Sequence, residues 1–313
     1  MTSPRDPVLG TLYGPPKVGK TTDLGYSFPR AVWVAAPGAT APLTSVCGYD
    51  PIHKPIDIMT LDDAIRLMER IAANPKQLDV DAMIVDDLTL YVDRTVRSLS
   101  ASGVGAKDPR QLWGAVRLKL LVLRDTARRA GLHVFFNTHE QGPRINSGTR
   151  VRGGPALPGA AAEMVPAACD VVLRAVPNPT NISIGWKVNY RCTVEDQDYV
   201  SGDRYNVTPD YCPMNIGEIL RAQGFVVRRH PEMPWQEEIV EKIAIALLTD
   251  ISNADLIKRG LALAFEEAYK RASMSKGVDP STAEKRAIWT QRDAYDRAII
   301  RNAQAHHRRR LFG

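Results

Sequence analysis

Gly14, Gly19, Lys20 and Thr21 stand in the run Gly14-Pro15-Pro16-Lys17-Val18-Gly19-Lys20-Thr21, which fits the spacing G-x-x-x-x-G-K-[ST]. Glycines at both ends let the backbone curl until its N–H groups converge on phosphate oxygens. A helix starting near Lys20 adds its positive N-terminal end. Lys20 is placed to reach β- and γ-phosphates as a point charge, and Thr21 to set its hydroxyl on Mg²⁺. The expected nucleotide-contacting set is Gly14, Pro15, Lys17, Val18, Gly19, Lys20, Thr21 and Thr22. Lys17 occupies a variable position of the motif, where a solvated charge is the plainer reading. The chemistry implied is binding of a nucleoside triphosphate with Mg²⁺.

Such a site needs an acid for the magnesium shell. Ala82-Met83-Ile84-Val85-Asp86-Asp87 reads as a buried strand delivering carboxylates to its tip. Asp86 is expected to hold the metal through water, with Thr21, and Asp87 to orient or deprotonate an attacking water. The bland reading is a solvated Asp pair at a strand end. Asn137-Thr138-His139 closes the next apolar run. Asn137 and His139 suit a sensor beside the γ-phosphate, or else cap the turn into Glu140. No N-K-x-D base-specificity motif occurs, which favours ATP over GTP.

The elements that must position these residues alternate between strand and helix. Val8–Tyr13 leads into the glycine run, and Ala31–Ala36 reads as a second buried strand lying, in sequence, between that run and the acids. Ile56–Met59 is a short strand reading. Leu61–Ala73 has helical spacing of apolar residues, ended by Asn74-Pro75. Helices are expected at Leu88–Ser100 and Pro109–Ala130, the latter stopped by Gly131. Leu132–Asn137, Asp170–Ala175 and Ile182–Thr193 read as further strands. Nearly all-apolar strands separated by helices predict a mainly parallel sheet covered on both faces. Gln141–Gly159, with five glycines, three prolines and Arg144, Arg150 and Arg152, breaks the pattern and reads as a long mobile loop. From Trp235 onward three helices are expected: Trp235–Leu248, Asn253–Met274 and Pro280–Arg309. The expected division is an α/β domain over 1–220 and a helical C-terminal region with a basic tail over 221–313.

Composition agrees with a globular chain: 313 residues, 44% hydrophobic and 24% charged. No apolar run has the length of a membrane span, and the N-terminus lacks a signal-peptide core, so a cytoplasmic protein without membrane contact is expected. Cys47, Cys169, Cys192 and Cys212 are widely spaced and read as reduced thiols. Net charge is +6, but Pro280–Gly313 holds eight Lys/Arg and three Asp/Glu, a balance of +5, leaving +1 for the rest. Arg308, Arg309 and Arg310, after Arg292, Arg297 and Arg301, exceed what capping a helix requires. Contact with nucleic acid or with an acidic protein surface are the two readings. Trp289, Ile288 and Ile299 are expected to pack against the other two C-terminal helices rather than to stack on bases.

In order and spacing, Gly14–Thr21, Asp86-Asp87, Asn137-Thr138-His139 and the arginine-bearing segment after them resemble the RecA-like recombinase ATPases. The closest resemblance is to short RecA/Rad-type NTPases of bacteriophages, some of which are single-strand annealing proteins. It covers roughly residues 8–220 and includes Leu157-Pro158-Gly159 through Leu173, and Gly202-Asp203-Arg204-Tyr205. The resemblance implies a RecA-like P-loop core binding ATP and Mg²⁺ between subunits of a ring or filament. It also implies single-stranded DNA on the loop holding Arg144, Arg150 and Arg152, and a host-cell cytoplasmic location if phage-encoded. Arg204 is the residue it marks as an inter-subunit finger; Gly202 stands where the family has lysine. The family's glutamate after the second strand has no counterpart in Ala36-Pro37-Gly38-Ala39, so either Asp87 takes that role or hydrolysis is slow. The expected function is ATP binding and hydrolysis on single-stranded DNA in phage recombination or replication. A motor or loader ATPase, and an assembly protein controlled by nucleotide with little turnover, are the alternatives.

Overall fold

A computed structural model describes residues 7–47, 51, 53–74, 78–146, 148–159, 161–177, 188–194, 196–206, 208–228, 235–249, 253–275 and 278–312. The expected α/β core is built on β1 (Leu9–Tyr13), β2 (Ala31–Ala35), β3 (Ala82–Asp86) and β4 (His133–Thr138), every residue of which is buried. Their side chains have no solvent face to satisfy, which is why these strands are uninterrupted apolar runs. With β9 (Val171–Pro177) they pair in parallel in the order β9-β1-β4-β3-β2. Three antiparallel strands extend the far side: β10 (Val188–Arg191) on β9, β12 (Tyr211–Pro213) on β10, and the short β11 (Gly202–Asp203) on β9. Residues 182–187 of the predicted Ile182–Thr193 strand lie outside the described residues. Of Ile56–Met59 only a bridge from Ile56 to Val34 forms.

Spatial order differs from sequence order. The strand wedged between the P-loop strand and the acidic strand is β4, not Ala31–Ala35, which lies at the sheet edge as β2. The wedge puts Asn137 at the tip between the loop that follows β1 and the acids that follow β3.

Helices cover both faces. On one lie α2 (Leu61–Ala73), α3 (Leu88–Ala101), α4 (Pro109–Arg129) and α5 (Ala161–Ala167), packed through Met68, Tyr91, Leu120 and Val165. On the other lie α1 (Lys20–Ser27), a π-helical turn (Leu43–Cys47) and α6 (Ile216–Ala222), packed through Leu24, Phe28 and Ile219. His133 is a core histidine. Its Nδ1 accepts from the Val8 N–H at 3.1 Å, so the proton sits on Nε2 and is donated to the Val226 carbonyl at 2.9 Å. All four cysteines are buried free thiols. No helix among the described residues is long and apolar enough to cross a membrane.

Gln141–Gly159 is more ordered than the loop expected. β5 (Glu140–Gln141) pairs with β8 (Gly154–Pro155), and between them β6 (Arg144–Asn146) and β7 (Thr149–Val151) form a hairpin. Arg144, Ile145, Thr149 and Arg150 face solvent, so these three-residue strands carry no buried apolar alternation and their composition resembled a loop.

The C-terminal helices α7 (Gln236–Leu248), α8 (Ala254–Met274) and α9 (Pro280–Phe312) share a small core of Val240, Ile243, Ala264 and Ala298. α9 also joins the sheet-side core through Ile300. Arg292, Arg297 and Arg301 are not the free cations expected. Arg297, 1% exposed, is ion-paired with Asp293 at 2.9 Å, off the hydrogen-bonding angle, and donates to Glu237 at 3.1 Å and to Gln236. Arg292 pairs with Asp296 at 3.4 Å, and Arg301 with Glu237 and Glu241.

This network reaches α1. Asp23 accepts from the Tyr190 hydroxyl at 2.5 Å and the Ile216 N–H at 3.2 Å. Burial pushes its carboxyl up from 3.8 to about 6, against the opposing pull of Tyr190 and Arg292. A raised carboxyl pKa favours folding below the unfolded value and loses that contribution as pH rises through the folded one. Asp23→Asn stays neutral throughout. Its stability relative to the parent should therefore improve between pH 4 and pH 7, read as the difference in urea midpoints; an unchanged difference would refute the assignment.

Candidate functional site

The loop between β1 and α1 begins and ends on backbone that needs glycine. Gly14 has φ 152°, and a Cβ there would lie 2.7 Å from the Ala175 carbonyl oxygen. Gly19 has φ 97°, in the left-handed region, immediately before α1. Lys17, also at positive φ, lines the cleft. The Lys20 ammonium turns back over the loop and donates to the carbonyls of Gly14 at 3.0 Å and Pro15 at 2.8 Å. Burial lowers its pKa, opposed by the carboxylates of Asp86, Asp87 and Glu140. Val18 packs into the sheet-side core.

Asp86 is brought against the loop as the sequence predicts. It is buried, accepts from Thr21 Oγ1 at 2.6 Å and from Asn137 Nδ2 at 2.6 Å, and burial raises its pKa. Asp87 follows through a cis peptide bond. Its Oδ1 caps α3 by accepting from the Thr89 N–H at 2.7 Å, and its Oδ2 lies 2.9 Å from His139 Nε2. The His139 N–H is held by Thr89 Oγ1 at 3.2 Å.

These groups enclose a cleft of about 390 Å³, walled by Pro16, Lys17, Gly19 to Thr22 and Pro42 on one side and by Asp86, Asp87 and Asn137–His139 on the other; of the expected nucleotide-contacting set, Gly14, Pro15 and Val18 are not on its wall. Asn137 Oδ1 and Thr138 Oγ1 are buried in it with no hydrogen-bond partner among the described residues. Buried polar atoms without partners await a ligand or water. The donor set, one hydroxyl and a carboxylate beside a lysine, is the hard-oxygen chemistry of Mg²⁺ with a phosphate. The residues therefore fit the group: Thr21 and Asp86 would hold the metal and Lys20 the phosphates.

Other predicted residues lie elsewhere. Arg204 follows β11, which pairs with the start of β9, at the end of the sheet opposite the cleft. It is ion-paired with Asp170 at 3.1 Å. Arg144, Arg150 and Arg152 sit on or beside the β6–β7 hairpin, and Arg150 pairs with Asp198. Arg309 is exposed near the end of α9; the side chains of Arg308 and Arg310 lie outside the described residues.

The sequence reading missed the Glu140–Arg174 ion pair. Arg174 donates to both Glu140 oxygens, at 2.9 and 3.1 Å, and its guanidinium lies 3.2 Å from the Tyr199 ring centre. Tyr13 is in register with Thr138 on one side and Arg174 on the other, so the pair spans the end of β1 where the chain enters the loop. No signal in the sequence links positions 140 and 174 until strand order is known.

No curated protein matches the chain. Among solved structures, similarity extends to a KaiC-like protein, PH0186, from the hyperthermophilic archaeon Pyrococcus horikoshii OT3. It has 16% identity and TM-score 0.38, covering 59% of this chain and 78% of that one. A RadB recombinase has 16% identity and TM-score 0.36, covering 59% of this chain and 87% of that one. The family model described as AAA domain (AAA_24) matches residues 6–205. That span is more than half of the chain and contains every residue of the cleft, so the chain belongs to the AAA domain family AAA_24, a family of P-loop nucleotide-binding domains.

Proposed function

We propose that this protein binds ATP with Mg²⁺ in the cleft over Gly14–Thr22 and hydrolyses it while acting on single-stranded DNA. The observation that carries the nucleotide reading is the Thr21–Asp86–Asn137 hydrogen-bonded set facing a buried Lys20. Mg²⁺, when bound, supplies charge that neutralises the phosphate oxygens. Lys20 stabilises charge on the transferred phosphoryl group, and Asp87, held against His139, orients the attacking water. The DNA part rests on Arg144, Arg150 and Arg152 of the hairpin arm, whose base strands continue directly from the cleft residue His139. Arginines on a narrow arm suit a phosphate backbone without base readout. Arg204, which the resemblance marks as an inter-subunit finger, lies at the far end of the sheet from its own cleft and would act on a nucleotide held by another copy in a ring or filament. Phage recombination or replication is the setting the resemblance of residues 8–220 supports.

One observation favours a second reading, an assembly protein controlled by nucleotide with little turnover. Asp87 already caps α3 and binds His139, and no acid follows β2 in 36–39. ATPase rates with and without single- and double-stranded DNA, at two salt concentrations, separate the two. Stimulation by single strands that falls steeply with salt is expected. Nucleotide binding without turnover under all conditions would establish the second reading instead.

A further inference from the structure

The most distant segment of the chain stands directly behind the phosphate loop. A Cβ built on Gly19 would lie 3.8 Å from Trp289 Cη2 and 3.8 Å from Met214 Cε, ordinary contact distances. Gly19 is thus backed by an indole carried on α9. The indole is itself fixed. The Tyr26 ring of α1 stacks on it at 5.4 Å and 25°, and the Arg292 guanidinium lies 4.7 Å from its centre. Tyr26 donates to the Val46 carbonyl at 3.4 Å, and Arg292 pairs with Asp296. One turn along, Asp293 accepts from Asn215 at 2.5 Å. Both aromatic rings are only partly buried, so solvation alone does not explain their stacking on this face of α1.

A left-handed glycine has no side chain with which to hold its own conformation. A loop that must present several N–H groups to phosphate binds best when it is ordered beforehand. We infer that Trp289 is a positioning residue for the phosphate loop: by packing behind Gly19 and against Tyr26 it holds the loop in its phosphate-binding shape, making the C-terminal helix part of the nucleotide site. The inference rests on the nucleotide reading above and extends it to a region beyond the matched family segment.

The test uses the full-length chain, titrated with Mg-ATP and separately with Mg-tripolyphosphate, which has no base. Trp289→Ala should weaken both by about tenfold, roughly the worth of one aromatic pair. Trp289→Phe keeps a ring behind Gly19 and should recover most of the affinity. Wild type should show a nucleotide-dependent change in tryptophan emission that Trp289→Phe lacks and Trp235→Phe retains. Ile288→Ala, an exposed neighbour on the same helix, should behave as wild type. A folded Trp289→Ala protein with wild-type affinity for both ligands overturns the inference, as does an emission change that persists in Trp289→Phe. If Trp289→Ala does not fold, the emission test decides alone. Wild type that binds neither ligand overturns the nucleotide reading and this inference together.

Discussion

Lys20→Ala should abolish ATP turnover, lowering kcat by at least about 100-fold, the loss typical of removing one preorganised charge-stabilising group. The structure makes the reason specific. Lys20 is buried, and its ammonium is held over the loop by the Gly14 and Pro15 carbonyls. Its charge is maintained against burial by Asp86, Asp87 and Glu140. Alanine removes the buried cation beside Asp86 and Asp87, so the bound phosphates would lose the charge that offsets these two carboxylates. The fold should survive, because the apolar side chains that build the sheet-side core are untouched. Turnover measured on purified variant, with thermal melting as the fold check, tests this; a folded Lys20→Ala protein with wild-type turnover would refute the site.

The largest stability effect is expected away from the cleft. Arg297→Ala should destabilise the protein by about 3–5 kcal/mol, the usual consequence of deleting one member of a buried ion-pair network. Removing the guanidinium leaves Asp293 without its ion-pair partner and takes one of two cations from Glu237, which keeps Arg301, and from Glu218, which keeps Arg221. Burial already holds the Asp293 carboxyl above its usual range, with Arg297 the largest opposing influence. Arg301→Ala, at a more exposed position on the same helix, should change stability by no more than about 1 kcal/mol. Urea unfolding of the two variants side by side checks the contrast. Equal losses would mean that the buried network does not fasten the C-terminal helices to the core.

Legibility from sequence followed the range of the interactions involved. Gly14–Thr21 was readable because its function depends on residues adjacent in the chain, each with a local conformational requirement. Asp86 was readable because a buried strand must end where the sheet ends, and ligands gather at that end. The β6–β7 hairpin was not. Its strands are short and exposed, so arginine and glycine content masked an ordered arm. The roles of Arg292, Arg297 and Arg301 were misread for a related reason: a net charge along one helix does not say that Asp293 and Asp296 bind these arginines, and it leaves out Glu218 and Glu237, which reach them from two other helices.

What the sequence determined by itself was the phosphate loop, the acidic strand, the parallel α/β core and the three C-terminal helices, because periodicity and steric requirements act over a few residues. Tertiary structure alone decided which groups meet. It placed β4 between β1 and β3, so that Asn137 bonds Asp86. It joined Glu140 to Arg174 across the end of β1. And it set Trp289 behind Gly19, 270 positions earlier in the chain. These contacts arise from strand order and helix docking, which are settled by burying whole faces against one another and leave no mark at any single position.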